Sequence, residues 1–172
     1  MSQPQITFNA DELKQAAAHL AFDAYHFHCY SRIRSENVLL GHPACPQAVM
    51  YALLIHVRVL VDFFFNKPKD DDCCLVHFRE VFPSFAAAFP AQITTPTLAE
   101  VRELKRNLNK RLAHLTATRW REPQPVMADY EKHFAAIDKV VEAFRDALPT
   151  DVQDVFLERW SFWERNHPVK LS

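Results

Sequence analysis

Hydrophobic residues recur at helical spacing in five separate stretches of the chain. The first stretch follows Asn9 and Glu12, whose N-x-x-E spacing is typical of a helix start, and predicts a helix over about residues 10–32. The second helix is expected to begin near Pro46, a favoured first-turn residue, and to end near residues 66–68. Because this second stretch is apolar on nearly every side, we expect it to be the central helix of the fold.

The second half of the chain predicts three more helices, each bounded by prolines or capping residues. Thr97 and Glu100 form a T-x-x-E capping box for a helix that runs to about residue 118. The next helix is expected over about residues 126–148, between prolines. The last helix opens at Thr150, where Gln153 completes another capping box.

Scarcity of glycine separates this chain from the common phosphate-binding folds. Gly41 is the only glycine among 172 residues, against 11 prolines. Rossmann and P-loop phosphate sites need several glycines, and β folds with many tight hairpins usually contain more than one glycine. The sequence therefore argues against both classes. No clean alternating strand pattern is present.

The pattern therefore predicts an all-α fold, a bundle of four long helices plus a short C-terminal helix. One domain over residues 1–172 is expected, with its core at about 10–148 and its C-terminal helix at about 150–165. Prolines interrupt residues 67–96, where we expect an irregular connection with a short helix over residues 73–82.

The charges and the cysteines of the chain indicate which ligands and which cell compartment to expect. The formal net charge of -1 excludes a strongly basic coat for nucleic acid. Charged residues interrupt the most apolar stretch, residues 48–65, so we expect a core helix rather than a membrane span, with Arg58 and Asp62 paired inside the bundle. The four cysteines have no regular spacing and no secretory signal is visible, so we expect reduced thiols, a cytoplasmic location and no metal or other cofactor.

Two different stripes run along the helix predicted over residues 97–118. The apolar stripe is expected to face the core and consists of Val101, Leu104, Leu108, Leu112 and Leu115. Arg106, Lys110 and His114 recur at i, i+4 and i+8 and form a motif stripe that is turned away from the leucines. A histidine can exchange a proton near neutral pH, and neighbouring cations can hold a phosphate. A solvated helix face without any site is the alternative interpretation of the same spacing.

A short segment of this helix resembles a known motif. Asn109-Lys110-x-x-Ala113-His114 is similar to the motif helix of the HEPN superfamily, which is often written RNKxxAH. Leu108 stands where the family motif has its arginine. Residues 56–64 also resemble the second long helix of that family, and the order of long helices agrees over about residues 10–148.

The resemblance implies an α-helical homodimer related to metal-independent endoribonucleases of toxin–antitoxin and other defence systems. In that scheme His114 acts on the RNA 2′-hydroxyl or the leaving group, Asn109 helps to orient the reacting groups, and an arginine binds the scissile phosphate. The residues that could bind phosphate or RNA are Arg106, Lys110, Arg111 and Arg119.

Three functions stay open at this point. The first is a defence or toxin-type endoribonuclease, either active or catalytically degenerate. The second is a non-catalytic helical module that binds RNA, a nucleotide or a protein such as an antitoxin-like partner. The third is a plain structural helical protein with an unrelated role. The replacement of the motif arginine by Leu108 favours the second over the first.

We predict a homodimer, because the resemblance implies one and because the chain carries 14 Phe, 3 Trp and 4 Tyr at near-neutral charge. A two-fold contact would be self-complementary. Sedimentation velocity at micromolar concentration is expected to show a species of about twice 20.0 kDa. A monomer throughout that concentration range would contradict the prediction.

Overall fold

Helices account for nearly all of the regular structure. The computed structural model describes residues 7–35, 44–67, 69, 72–89, 104 and 128–166. The helices of these ranges are α1 (Ala10–Ser35), α2 (Ala44–Phe65), α3 (Leu75–Val81), α4 (Pro83–Ala88), α5 (Ala128–Ala147) and α6 (Thr150–Asn166). The described residues contain no strand, so the all-α prediction is confirmed.

The finer arrangement differs in part from the prediction. The C-terminal helix α6 has 17 residues and is one of the long helices rather than a short one. The helix predicted over residues 97–118 lies outside the described residues except for Leu104, which is helical. The HEPN-like arrangement of the bundle therefore stays a prediction.

The start of α1 has the capping box that the sequence predicts. Asn9 Oδ1 accepts hydrogen bonds from the backbone N–H groups of Asp11 and Glu12, both at 3.0 Å. In return the Asn9 backbone N–H donates to Glu12 Oε2 at 2.8 Å. These bonds satisfy N–H groups that the first turn of a helix leaves without partners in the helix. This part of the prediction is confirmed.

The start of α6 differs from the prediction. Thr150 is the first helical residue, so Pro149 caps the helix, and its carbonyl accepts the N–H groups of Val152 at 2.9 Å and Gln153 at 2.8 Å. Thr150 therefore lies inside the helix and is not its N-cap, so the capping box predicted from Thr150 and Gln153 is wrong. Gln153 Nε2 instead donates to the Arg145 carbonyl at 2.9 Å, which joins α6 to the end of α5.

The proline-interrupted connection after α2 holds two short helices where the sequence predicted one. The Phe82 N–H donates to the Phe78 carbonyl at 3.0 Å and closes α3, while the Phe82 carbonyl accepts the Ala86 N–H at 3.1 Å and opens α4. Pro83 takes the first position of α4, where a backbone N–H would have no partner in the helix. Phe82 itself is extended, so helical structure is interrupted just before Pro83 as predicted, but a second short helix that the sequence analysis did not predict follows the interruption.

Helix α1, rather than α2, is the one around which the other described helices are arranged. It packs most extensively on α2 and α6 and also contacts α3 and α5. On α2, by contrast, Tyr51, Ile55 and Val59 remain 45%, 59% and 40% exposed. Among the described helices α1, and not α2, therefore has the central position that the sequence analysis expected for α2, because an all-round apolar composition does not show which faces of a helix pack against others.

One face of α2 nevertheless contributes to the core. By length and composition its segment Ala48–Phe65 is able to cross a membrane. Its buried side chains belong to the same core as those of α1 and α5, which is typical of a core helix of a folded domain. Arg58 Nε lies 3.6 Å from Asp62 Oδ2, but both side chains are more than a third exposed, so the expected pairing occurs at the surface and not inside the bundle.

Phenylalanine rings from several helices meet around Phe144 of α5. This ring is fully buried, and its centroid lies 5.4 Å from Phe63, 5.6 Å from Phe64, 5.2 Å from Phe78 and 5.5 Å from Phe85. The interplanar angles of 72° to 86° place ring edges against ring faces, which is the favoured geometry of aromatic pairs. Phe144 thus connects α2, α3 and α4 to α5.

We predict that Phe144→Ala lowers the free energy of unfolding by about 3–5 kcal/mol, because it removes a fully buried ring and leaves a cavity. Urea unfolding followed by far-UV circular dichroism measures the change. The control is Phe162→Ala at a ring that is 42% exposed, where a loss of about 1 kcal/mol or less is expected. Equal losses in the two variants would contradict the central place of Phe144.

Candidate functional site

The site residues predicted from the sequence lie outside the described residues. They are Arg106, Asn109, Lys110, Arg111, His114 and Arg119. Leu104, on the same predicted helix, is helical, 1% exposed and part of the hydrophobic core. This agrees with a leucine stripe that faces the core, while the roles of the six polar residues stay predictions.

A different polar pair, which sequence spacing does not indicate, lies where α1 packs on α2. His56 Nδ1 on α2 lies 2.8 Å from Asp23 Oδ1 on α1. Their side chains are only 13% and 18% exposed, respectively. An ionised carboxylate can only accept hydrogen bonds, so the proton is assigned to His56 Nδ1, and in the neutral ring the lone pair lies on Nε2.

Aromatic rings from α1 surround His56 and fix the plane of its imidazole. His26 and Tyr30 lie nearly parallel to it, with centroid distances of 5.2 and 5.8 Å and interplanar angles of 25° and 20°. Phe22 presents an edge-to-face contact at 5.7 Å. The Asp23 hydrogen bond sets the rotation of the ring within this plane, so the pair has one defined geometry.

A cavity of about 440 Å³ opens beside Asp23, between α1, α2 and residues 72–74. The apolar part of its wall consists of Ala16, Leu20, Val59 and Phe63. The carboxylates of its wall are Asp23, Asp62 and Asp72. A volume of this size falls within the range of about 300–1,000 Å³ that is usual for small-molecule sites. The described wall thus combines an apolar surface with a few acidic groups.

The described wall of the cavity carries more negative than positive charge. Asp62 Oδ1 accepts a hydrogen bond from Asn66 Nδ2 at 2.7 Å, and Arg58 Nε lies 3.6 Å from Asp62 Oδ2. Arg58 does not line the cavity and is 45% exposed, so water screens much of its charge. Asp72 is exposed at the opening, as is His19, the one described lining residue that can gain a positive charge. Three carboxylates therefore outweigh the cationic groups of the described wall.

Thiol chemistry is not favoured at this cavity. Cys73 lines it, and burial raises the pKa of the Cys73 thiol to about 11. The thiol is consequently protonated at neutral pH and is a poor nucleophile. Within the described ranges, no group of three or more histidine, cysteine, aspartate or glutamate side chains is placed to hold a metal ion. What the described wall offers is a set of hydrogen-bond acceptors with negative charge.

The sequence gives little signal for this arrangement. Asp23 and His56 are separated by 33 positions, and their contact depends on how α1 is placed along α2. His56 falls in a strongly apolar stretch, where a polar side chain needs a partner once it is buried. That need indicates a buried hydrogen bond but does not identify Asp23 as the acceptor.

Comparison with known proteins gives no functional assignment for this chain. No family model, curated protein or solved structure matches the chain. The resemblance to HEPN domains therefore rests on the segment from Asn109 to His114, on residues 56–64 and on the predicted order of the helices.

We predict that Asp23→Ala lowers the free energy of unfolding by about 1–3 kcal/mol, because it leaves the His56 Nδ1–H without its acceptor in a largely buried place. Asp23→Asn keeps an oxygen that can accept this bond and is expected to lose less. Urea unfolding of both variants measures the difference.

A double-mutant cycle separates the hydrogen bond from the loss of packing. Asp23→Ala and His56→Ala, alone and combined, are expected to show a coupling energy of about 1 kcal/mol. Strictly additive effects of the two substitutions would contradict a direct stabilising interaction.

Proposed function

We propose that this chain is a HEPN-like helical domain, related to defence and toxin-type endoribonucleases, whose motif stripe binds RNA. The observation that carries the proposal is the helical, 1% exposed Leu104 inside the core. With Leu104 directed at the core, the periodicity of the predicted helix turns Arg106, Lys110 and His114 roughly 120–160° away from the centre of the leucine stripe. Such a face would be open to a ligand.

The chemistry of the motif stripe suits a phosphodiester. Arg106 and Lys110 supply positive charge for phosphates, with Arg111 and Arg119 as further cations, and His114 supplies a group that exchanges protons near neutral pH. Because Leu108 replaces the motif arginine, stabilisation of the scissile phosphate in the transition state is weakened. We therefore propose that RNA binding is retained and that cleavage is weak or lost.

The proposal also covers the location, the oligomeric state and a protein partner of the domain. It includes a cytoplasmic homodimer in which the two motif helices face each other, and an antitoxin-like protein as a partner. The carboxylates beside Asp23 make the cavity a poor place for RNA phosphates, so we assign RNA binding to the motif stripe with Arg111 and Arg119, and not to the cavity.

We predict that Lys110→Ala and Arg106→Ala weaken the binding of single-stranded RNA and reduce its dependence on salt, because each removes about one phosphate contact. Fluorescence anisotropy with a labelled RNA at low and moderate salt measures both effects. Lys139→Ala, which removes an equal charge at an exposed position of α5, serves as the control and is expected to bind as the wild type does. Absence of RNA binding by the wild-type chain, or equal weakening by the control, would contradict the proposal.

Cleavage is tested separately with His114→Ala. If the wild-type chain cuts the labelled RNA, this variant is expected to abolish the cuts, since His114 is the proton-transfer group of the motif. Unchanged far-UV circular dichroism serves as the control for folding. Cleavage that survives in His114→Ala would contradict the role assigned to this residue.

A further inference from the structure

We propose that the cavity beside Asp23 binds a small organic cation, an amine attached to an apolar body. This site lies between α1, α2 and residues 72–74 and uses no residue of the motif stripe. It is therefore independent of the proposed RNA binding and would stand if that function were wrong.

Asp23 is the anchor of this site. Its Oδ1 accepts the 2.8 Å hydrogen bond from His56, which leaves the second carboxylate oxygen as an acceptor for a ligand. The side chain is mostly buried and held in one position by a ring that is itself fixed by His26 and Tyr30. An anion that is already oriented loses little freedom on binding, and a charge-assisted bond to an ammonium group is stronger than a neutral one.

The rest of the wall favours positive charge over negative charge. Asp62 and Asp72 add two carboxylates, and no lysine or arginine belongs to the described lining. Asn66 orients Asp62 through its 2.7 Å hydrogen bond, which gives the cavity a second ordered acceptor. A phosphate or carboxylate ligand would meet repulsion from these three aspartates, so the described wall favours a cation over an anion.

The apolar wall distinguishes an organic cation from a metal ion. Leu20, Val59 and Phe63 offer a surface on which a ring or an alkyl chain can lie, and the volume of about 440 Å³ fits a molecule of that size. A metal ion needs several ligand atoms grouped around one point, and the described residues hold no group of three or more such side chains. An ammonium group needs only one or two well-placed acceptors.

The test uses 2-phenylethylamine, which is cationic at neutral pH, and 2-phenylethanol, which has nearly the same size without the charge. Both are titrated into the full chain and followed by ¹H–¹⁵N correlation spectra. The amine is expected to shift amide signals of α1 and α2 around Asp23 and Asp62 and to bind at least about tenfold more tightly than the alcohol. No binding of the amine, or equal binding of the two compounds, would overturn the proposal.

Three variants identify the site within the chain. Asp23→Asn removes the charge but keeps an oxygen for His56, and it is expected to weaken amine binding about tenfold. Asp62→Asn is also expected to weaken amine binding. If Asp23→Asn does not fold, the affinity of Asp62→Asn for the amine tests the site instead. Asp154→Asn removes the same charge from an exposed position of α6 outside the cavity and is expected to bind the amine as the wild type does. Wild-type affinity in the folded cavity variants, or an equal loss in Asp154→Asn, would overturn the assignment.

Discussion

Packing against more than one side of α1 is the constraint on which the rest of the described structure depends. Ala17 and Ala21 are fully buried and Ala24 is 1% exposed, and such short side chains allow neighbouring helices to come close. Once α2 and α6 cover α1, every polar group between them needs a partner, because an unbonded buried donor is costly. The Asp23–His56 hydrogen bond meets this need and also depends on one placement of α1 along α2. The geometry of the cavity beside Asp23 follows from the same placement.

The two sides of α1 are packed by different chemistry. Toward α6 the contact is aromatic, with Phe22 and Trp163 at 5.0 Å and Tyr25 and Trp160 at 5.5 Å between ring centroids, both edge to face. Between α1 and α2 the apolar packing is interrupted at Asp23. This residue forms a hydrogen bond with His56 and lines the cavity. Edge-to-face rings fill space and define orientation, so the α6 side can hold α1 in place. The less completely filled α2 side is where a ligand can be accommodated.

Local sequence patterns predicted most of the helices. The features that the sequence did not predict depend on contacts between residues that are far apart in the chain. The Asn9 capping box and the hydrophobic spacing of α1, α2 and α5 lie within a few residues of each other, so a helix start and its buried face could be predicted. The Gln153 bond to Arg145 joins two helices, and the local capping motif at Thr150 gave the wrong result there. For the candidate sites the division is similar. The motif stripe is a local spacing on one helix, whereas the cavity joins residues of two helices and a loop that no periodicity brings together.

The two proposed ligands carry opposite charge, and this limits how one small domain can bind both. A formal net charge of -1 creates no strong field over the whole surface, so each ligand must be attracted by groups close to its own site. At physiological salt, screening limits such attraction to a distance of about 8 Å. The carboxylate of Asp23 is partly enclosed between helices. A cation that binds there loses hydrating water but gains a hydrogen-bond acceptor that is already oriented. The phosphates of an RNA chain instead need an open surface that carries positive charge. Separate placement of the two charge patterns on the fold is therefore a physical requirement, and the packing of α1 on α2 supplies the enclosed one.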